Sequence, residues 1–151
     1  MMNRKFCFMN FYGVGVKFGG VDDMLPIFLE TNCWFMGYYE DEKPRLDKQI
    51  SLVKEGDILF VKSYGTTAQS SYYIRAIGIV SSLKKPDGIP MKYADRPGFS
   101  VIWIKYYENP IQLSASEYGR GGVHTYTIHQ EKNEHLIDKI KDIMRYDYRE
   151  E

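Results

Sequence analysis

Histidines are the residues of this sequence with the greatest potential as metal ligands. The histidines of this 151-residue chain are His124, His129 and His135. On a strand, positions 124 and 129 point to opposite faces, so they cannot share an ion without a bulge. Neither a CxxC nor an HExxH spacing occurs in the sequence, although zinc sites commonly use them. We therefore expect no metal site and no cofactor.

A metal-dependent nuclease would need an acidic residue followed by an acid-x-Lys element that holds Mg²⁺ and an activated water. Asp41-Glu42-Lys43 supplies the short element, and Asp22 lies upstream. The segment 40–44 is too polar to be a core strand, so these ligands would lack a rigid platform. The nucleophile motif GxSxG is also absent. The sequence therefore predicts a protein that is not an enzyme.

Two glycine-rich segments were considered as phosphate-binding loops. Residues 13–18 contain two glycines of a GxGxxG pattern, but Phe18 occupies the third position. Residues 119–122 read Gly-Arg-Gly-Gly and could present backbone N–H groups and the Arg120 guanidinium to a phosphate. An ordinary turn is the alternative interpretation of this second segment.

Aromatic residues form 15% of the chain, with 13 Tyr, 8 Phe and 2 Trp. Several tyrosines occur in pairs, as in Tyr38-Tyr39, Tyr72-Tyr73 and Tyr106-Tyr107. A pair on a strand places one ring on each face, so one ring can pack in the core while the other meets solvent or a ligand. Strand propensity alone accounts for many aromatics, but exposed rings are also a usual means of stacking nucleic-acid bases.

The charge balance limits the class of partner. The 20 basic residues equal the 20 acidic ones, and the sequence pI is about 6.8. Proteins that hold duplex DNA through its phosphates usually carry a basic surplus, so the composition favours a small ligand or a single base. No apolar run approaches the ~20 residues that span a bilayer, and no signal peptide is recognisable. We expect no membrane contact and a cytoplasmic location, with Cys7 and Cys33 as free thiols.

Hydrophobic periodicity predicts about six strands, two helices in the first half of the chain and one at the end. Asn109-Pro110 predicts a turn after the strand around Trp103, and Asn133 is a candidate N-cap of the last helix. No linker or repeat divides the chain, so a single domain over residues 1–151 is expected. The predicted fold class is α+β, with a bent mixed sheet that forms a partly closed β-barrel flanked by about three helices. The principal predicted strands cover residues 5–12, 58–62, 72–81, 99–107 and 123–129, and the helices cover 24–30, 45–53 and about 134–145.

Residues 33–80 resemble a known family in the order and spacing of their motifs. The segment begins CWFMG, continues with the helix-to-strand sequence QISLVKEGDILFVKS, and ends with the strand IRAIGIV. This pattern is similar to that of the EVE and PUA-like domain superfamily, especially the modules that precede the motor in McrB-type modification-dependent restriction proteins. The resemblance covers about a third of the chain.

The resemblance implies a bent β-barrel that takes one base, often a modified one, into a concave pocket lined by aromatic residues. It places the pocket between the segment 34–39 and the strand end at 62–64, with a cation at the rim. Loop residues Thr66 and Thr67 are additional hydrogen-bonding candidates. The base- or nucleotide-binding residues implied in this way are Trp34, Tyr38, Lys62, Ser63, Tyr64, Arg75 and Arg120.

Three functions remain open from the sequence. The first is a non-enzymatic reader of a modified or flipped base in nucleic acid. The second is a phage-type sponge that sequesters a nucleotide-derived immune signal such as a cyclic nucleotide, which the zero net charge favours. The third is a protein–protein adaptor that uses exposed tyrosines. The expected partners are accordingly a nucleotide, a modified nucleobase or a nucleotide-derived signal, with nucleic acid and homo-oligomerisation left open.

Overall fold

The computed structural model describes residues 9–19, 21–39, 42–64, 71–119 and 127–150, which contain a six-stranded mixed sheet. The strand order is β4-β7-β6-β5-β1-β8, and a small separate hairpin joins β2 to β3. The strands are β1 (Phe11–Val14), β2 (Lys17–Phe18), β3 (Asp22–Asp23), β4 (Cys33–Phe35), β5 (Ile58–Tyr64), β6 (Ser71–Ser82), β7 (Gly98–Ser114) and β8 (Ile128–Glu131).

Four α-helices occur in the described part of the chain. They are α1 (Leu25–Thr31), α2 (Pro44–Leu52), α3 (Ala115–Tyr118) and α4 (Glu134–Glu150). Proline lies in the first turn of both α1 and α2, where its missing N–H costs nothing. Asn133 caps α4 as expected, because its Oδ1 accepts from the backbone N–H of His135 at 2.9 Å.

The carboxyl ends of β1 and β5 lie at the same edge of the sheet, because the two strands are parallel neighbours. β1 runs parallel to β5, with Phe11 opposite Ile58 and Val14 opposite Val61. The other pairings in the six-stranded sheet are antiparallel. The register of β5 against β6 shifts after Val61, because Val61 lies opposite Ala76 and Lys62 lies opposite Ile74. Arg75 of β6 is therefore the extra residue of a β-bulge.

The sheet has an apolar core on each face. The first face packs against α1 and α2 and includes Tyr12, Trp34, Val61 and Phe99. The second face packs against α4 and is formed by Phe11, Ile58, Phe60, Tyr72, Ile74, Ile77, Leu113, Leu136, Ile140 and Ile143. Burial on both faces explains why the strand at 58–61 is apolar throughout.

The predicted fold class is confirmed: the chain is α+β, with one curled mixed sheet and flanking helices. The turn predicted at Asn109-Pro110 is wrong, because β7 continues through these residues to Ser114. Ile74 lies opposite Ile111 whereas Ala76 lies opposite Tyr106. The intervening residues therefore form a bulge, where proline is tolerated within a sheet.

The predicted first and last strands are displaced along the chain. β1 covers Phe11–Val14 rather than 5–12, and β8 covers Ile128–Glu131 rather than 123–129. Residues 5–8 and 123–126 of those predictions lie outside the described residues. Within the described ranges, no helix combines the length and hydropathy needed to cross a membrane.

Candidate functional site

An exposed tyrosine and an arginine form a stacked pair beside the edge strand β4. Half of the Tyr39 surface is exposed, at 50%, and the guanidinium carbon of Arg96 lies 3.8 Å from the ring centroid. The same guanidinium is 5.8 Å from the ring of Tyr93. Contacts of this kind combine cation–π attraction with planar stacking. We call Tyr39, Tyr93 and Arg96 the tyrosine platform.

Backbone carbonyls hold the arginine of the platform in place. Arg96 Nε donates to the Gly37 carbonyl at 3.3 Å, and Nη1 donates to the Lys92 carbonyl at 3.1 Å. Nη1 also donates to the Asp95 carboxylate at 3.1 Å. The guanidinium is therefore oriented before any ligand arrives, which lowers the entropy cost of binding.

Further cations surround the platform. Lys43 Nζ lies 5.1 Å from the ring centroid of Tyr38, and Lys92 Nζ lies 5.0 Å from that of Tyr93. Lys85 Nζ lies 5.8 Å from the ring of Phe35. The carboxylates of Asp47 and Asp95 also line the adjoining cleft, so this region combines aromatic surface with charges of both signs. Such a surface can stack a ring while its cations contact a phosphate beside the ring.

A cleft of about 500 Å³ opens next to the platform. Its volume lies within the range of small-molecule sites, roughly 300–1,000 Å³. Arg96 belongs to both the cleft and the platform, so one side chain joins the concave site to the exposed ring. The cleft is lined by Asp47, Ile50, Ser51, Val53, Leu83, Lys85, Ala94, Asp95, Arg96, Pro97, Gly98 and Phe99.

The loop that forms one wall of the cleft is fixed by its own backbone contacts. A single 3₁₀ turn covers Met91–Tyr93, and the Pro97 carbonyl accepts from the backbone N–H of Met36 at 2.9 Å. Lys85 Nζ donates to the carbonyls of Tyr93 and Ala94, at 3.1 and 2.6 Å. Partial burial lowers the pKa of Lys85 from its ordinary value. The wall is therefore preformed and carries a cation.

Trp34 and Tyr38, two of the sequence-predicted site residues, lie on the cleft side of the sheet. Trp34 is fully buried, and its Nε1 donates to the Gly15 carbonyl at 2.9 Å. Its ring stacks on Phe99, with 5.9 Å between centroids, so Trp34 supports a cleft residue from behind. Tyr38 is partly buried against the core and lies under Lys43.

The other predicted site residues are placed elsewhere. Lys62 is buried on the second face, over Gly13, so the structure does not bring it together with Trp34. Ser63 is half-buried and Tyr64 ends β5. Arg75 pairs with the Asp23 carboxylate at 2.8 Å, and this contact lowers the pKa of Asp23. Arg120, Thr66 and Thr67 lie outside the described residues.

Sequence reasoning missed Tyr39, Tyr93 and Arg96, and with them the cleft. The tyrosine pair at 38–39 was a usable signal, but only its first member was selected as a site residue. Tyr93 and Arg96 occur three positions apart in a proline-bounded segment that reads as a plain surface loop. Nothing local in that segment reveals that it folds against α2. Among the described residues, no group of three His, Cys, Asp or Glu side chains could hold a metal ion.

No protein-family model matches the sequence, and no curated protein matches it. Solved structures do match. One is the YTH domain of Zygosaccharomyces rouxii MRB1 in complex with N6-methyladenosine RNA, at 10% identity and a TM-score of 0.50, covering 92% of this chain and 88% of that one. Another is the Pho92 YTH domain in complex with m6A, at 13% identity and a TM-score of 0.49, covering 88% and 82%.

In fold, the chain is similar to a YTH domain. At 10% identity this likeness concerns the arrangement of strands and helices and not the side chains of a site. It agrees with the predicted bent sheet, whereas the resemblance to EVE domains stays a prediction.

Proposed function

We propose that the protein is a non-enzymatic domain that reads a modified base in nucleic acid, with the base held at the cleft and the tyrosine platform. The observation that carries the proposal is the position of Arg96, which stacks on the half-exposed Tyr39 ring and also lines a cleft of about 500 Å³. The MRB1 YTH domain, which was solved with N6-methyladenosine RNA, supports it through its similar fold.

The platform supplies the stacking part of binding. Arg96 covers Tyr39 at 3.8 Å, and half of the residue surface stays exposed. Stacking of a base on an aromatic side chain contributes about 1–3 kcal/mol. Lys43, Lys92 and Arg96 lie around the rings, so a phosphate next to the stacked base meets positive charge. A base flipped out of a helix costs a few kcal/mol, which stacking and hydrogen bonds can offset.

The cleft supplies the selectivity for a modification. Its apolar wall consists of Ile50, Val53, Leu83 and Phe99, and its polar wall includes Lys85 and Asp95. Each buried methyl group contributes roughly 0.8 kcal/mol, which corresponds to about a fourfold preference. A methylated base is therefore favoured over the unmodified base by a modest factor, while Asp95 can accept from the exocyclic N6–H of adenine.

The chemistry of the cleft lining fits a binding role. No histidine lines the cleft in the described part of the chain. Ser51 Oγ donates its hydrogen to the Lys48 carbonyl at 2.7 Å, so this hydroxyl is engaged in the helix and not activated by a base. These side chains can bind and orient a ring, but they offer no nucleophile paired with a general base.

A sponge for a nucleotide-derived signal is the second candidate. The observation that favours it is the cleft volume of about 500 Å³, which is sufficient for a free nucleotide. The two functions differ in what else is bound, because a reader also engages neighbouring nucleotides. A sponge should bind a free nucleotide as tightly as an oligonucleotide that contains it.

Fluorescence anisotropy with a labelled nine-nucleotide single-stranded RNA tests the proposal. The central base is adenine or N6-methyladenine, and the corresponding free nucleotides compete for the site. We expect preferential binding of the modified RNA and at least tenfold weaker binding by Tyr39→Ala. Tyr106→Ala is the matched control, because Tyr106 is similarly exposed, at 53%, and belongs neither to the tyrosine platform nor to the cleft lining.

The outcomes separate the candidates. Equal affinity for the free nucleotide and the RNA would favour the sponge. Unchanged binding by Tyr39→Ala, or an equal loss in Tyr106→Ala, would contradict the assignment of the platform. Binding of neither RNA nor nucleotide would overturn both functions and leave the adaptor hypothesis.

A further inference from the structure

The hairpin formed by β2 and β3 lies outside the six-stranded sheet. Among the described residues its two strands pair only with each other, with Lys17 opposite Asp23 and Phe18 opposite Asp22. A two-stranded hairpin is at best marginally stable by itself, and Phe18 is the one apolar residue in these strands. The position of the hairpin therefore depends on what Phe18 and the charged side chains contact in the rest of the protein.

The ring of Phe18 packs at a steep angle among three other aromatic rings. Its centroid lies 5.8 Å from that of Tyr93, with 76° between the ring planes. The corresponding distances to Phe35 and Phe28 are 5.8 and 6.3 Å, at 61° and 64°. Edge-to-face contacts of this kind are a favoured geometry for aromatic pairs. Because Tyr93 belongs to the tyrosine platform, the hairpin contacts the platform directly through Phe18.

A second contact of Phe18 leads to the arginine of the platform through Gly37. A Cβ atom on Gly37 would lie 3.1 Å from Cγ of the Phe18 ring, so the absence of a side chain at this position lets the ring approach the backbone. The carbonyl of Gly37 accepts from Nε of Arg96 at 3.3 Å. Phe18 therefore packs against one of the groups that orient the guanidinium, as well as against Tyr93.

The ion pair between Asp23 and Arg75 attaches the other strand of the hairpin to the sheet. Nη1 and Nη2 of Arg75 each donate to one carboxylate oxygen of Asp23, at 3.1 and 2.8 Å. This bidentate geometry fixes the orientation of both groups as well as their distance. Arg75 is the extra residue of the bulge in β6, and bulges commonly redirect a side chain. Arg75 was predicted at the rim of the pocket, but it contacts the hairpin and does not line the cleft.

We propose that the β2–β3 hairpin is a strap that keeps the tyrosine platform in its binding geometry, with Phe18 as the positioning residue and the Asp23–Arg75 pair as the attachment of the strap. The inference rests on the proposed function, which assigns base stacking to the platform. Without the strap, Tyr93 and Arg96 would be ordered only when the ligand binds, and this ordering would weaken the affinity. The affinity thus depends on residues that do not line the cleft.

The first experiment observes the platform without a ligand. In protein labelled with ¹⁵N-arginine, exchange of the Arg96 Nε–H with water reports its hydrogen bond to the Gly37 carbonyl. We expect Phe18→Leu, which removes the ring and keeps an apolar side chain, to raise the exchange rate by about threefold or more, the factor that one hydrogen bond typically contributes. Phe11→Leu is the matched control and should leave the rate unchanged, because Phe11 belongs to the core of the second face.

The second experiment measures binding with the RNA anisotropy assay described above. Phe18→Leu should bind the N6-methyladenine RNA about tenfold more weakly than the wild type, because two side chains must then be ordered on binding. Phe11→Leu should bind it as the wild type does. Both variants remove a ring from a packed cluster, so a loss caused by general destabilisation would occur in both. Denaturant unfolding verifies that each variant is folded at the assay temperature.

A pair of aspartate variants tests the attachment of the strap. Asp23→Asn keeps the shape of the side chain and removes the charge that Arg75 binds, and Asp22→Asn makes the same change at the neighbouring exposed position. We expect Arg96 Nε–H exchange to rise by about twofold in Asp23→Asn alone, because exposed ion pairs contribute little. Added NaCl should move the wild-type rate towards that of Asp23→Asn, since salt screens the pair. Equal rates in the two aspartate variants would contradict the attachment.

The outcomes separate the strap from the proposed function. Unchanged Arg96 exchange in Phe18→Leu, or an equal change in Phe11→Leu, would overturn the strap even if the wild type binds the RNA as expected. RNA binding by Phe18→Leu with wild-type affinity would also overturn it. If the wild type binds no RNA, the proposed function fails, and the exchange rates alone decide whether Phe18 positions the platform.

Discussion

The two faces of the sheet differ in how many of their buried polar side chains form hydrogen bonds. On the first face, the indole N–H groups of Trp34 and Trp103 donate to the carbonyls of Gly15 and Phe28, at 2.9 and 3.0 Å. Lys85 and Arg96 are also bound to carbonyls there. Tyr12 is an exception on this face, because its hydroxyl has no partner among the described residues. On the second face, three buried groups are left without one, on Lys62, Tyr72 and Glu131.

This difference separates two uses of a polar side chain. A polar side chain that forms hydrogen bonds holds neighbouring segments in position. Lys85 and Arg96 hold the cleft wall in this way, through hydrogen bonds to backbone carbonyls. An unsatisfied buried group costs free energy in the folded state. Removing a satisfied group should therefore destabilise the fold, whereas removing an unsatisfied one should stabilise it.

The largest effect is expected for Trp34 on the satisfied face. Trp34→Ala should lower the free energy of unfolding by about 3–5 kcal/mol, because it leaves a cavity against Phe99 and an unpaired Gly15 carbonyl. Denaturant unfolding measures this value. Tyr39→Ala, five positions away and half exposed, should change it by less than about 0.5 kcal/mol. Equal losses in the two variants would contradict the distinction between core and platform.

Lys62 should show the opposite sign and a dependence on pH. Its pKa is 10.5 in the unfolded chain and about 8 in the folded protein, so the unfolded chain binds more protons between these values. Wild-type stability should therefore rise from pH 8 to 9.5, by about 2 kcal/mol. The comparison is Lys62→Met, which lacks this rise and is the more stable protein at pH 7.

The neighbours of Lys62 do not titrate in that window. The pKa of His129 is lowered from 6.5, chiefly by burial, and that of Tyr72 is raised above its ordinary value. Unfolding free energies at pH 8.0 and 9.5 for both proteins give the difference directly. Parallel profiles for the wild type and Lys62→Met would show that the ammonium is solvated or paired in the folded state.

The fold class, the central strands and the long helix were predictable from the sequence, whereas the bounds of the first and last strands were not. The apolar run at 58–61 predicts a strand buried on both faces, and α4 follows from apolar residues on one side and an Asn133 cap. The bulge at Pro110 was not predictable, because a proline after asparagine also fits a turn. The pairing partner, β6, decides between the two.

The candidate site was predictable only in part. Tyr38 was selected for its type and lies beside the platform. The cleft joins residues 47–53 with residues 83–99, and their meeting depends on tertiary packing that no local pattern encodes. Lys62 is predicted as a strand-end cation of the pocket, but it alternates with Ile58 and Phe60 along β5 and is buried on their face of the sheet. Strand alternation therefore places Lys62 on the opposite face of the sheet from Trp34.

Gly13 provides a sharper test of the second face. A methyl group at this position would lie 2.8 Å from Lys62 Cε, so Gly13→Ala must displace the lysine or strain β1. We expect a loss of roughly 1–3 kcal/mol in the free energy of unfolding, as for other overpacked sites. The double variant Gly13→Ala with Lys62→Ala should recover most of this loss. A double variant with additive losses would show that the contact with Lys62 is not the cause.

The smallest effect is expected for a group that is satisfied but exposed. Asp23 pairs with Arg75 at 2.8 Å, and their side chains are 36% and 19% exposed. Water and salt screen such a pair, so Asp23→Asn should cost no more than about 1 kcal/mol. The Arg75 contact lowers the pKa of Asp23, so the contribution of the pair is present above the ordinary Asp pKa and is lost as pH falls through the lowered value. Unfolding of both proteins at neutral pH and at pH 2.5, with and without 0.5 M NaCl, measures it. A loss of unfolding free energy in Asp23→Asn that is well above about 1 kcal/mol, independent of salt or greatest at pH 2.5 would contradict this prediction. The pair would then contribute as much as a buried contact does, despite its exposure.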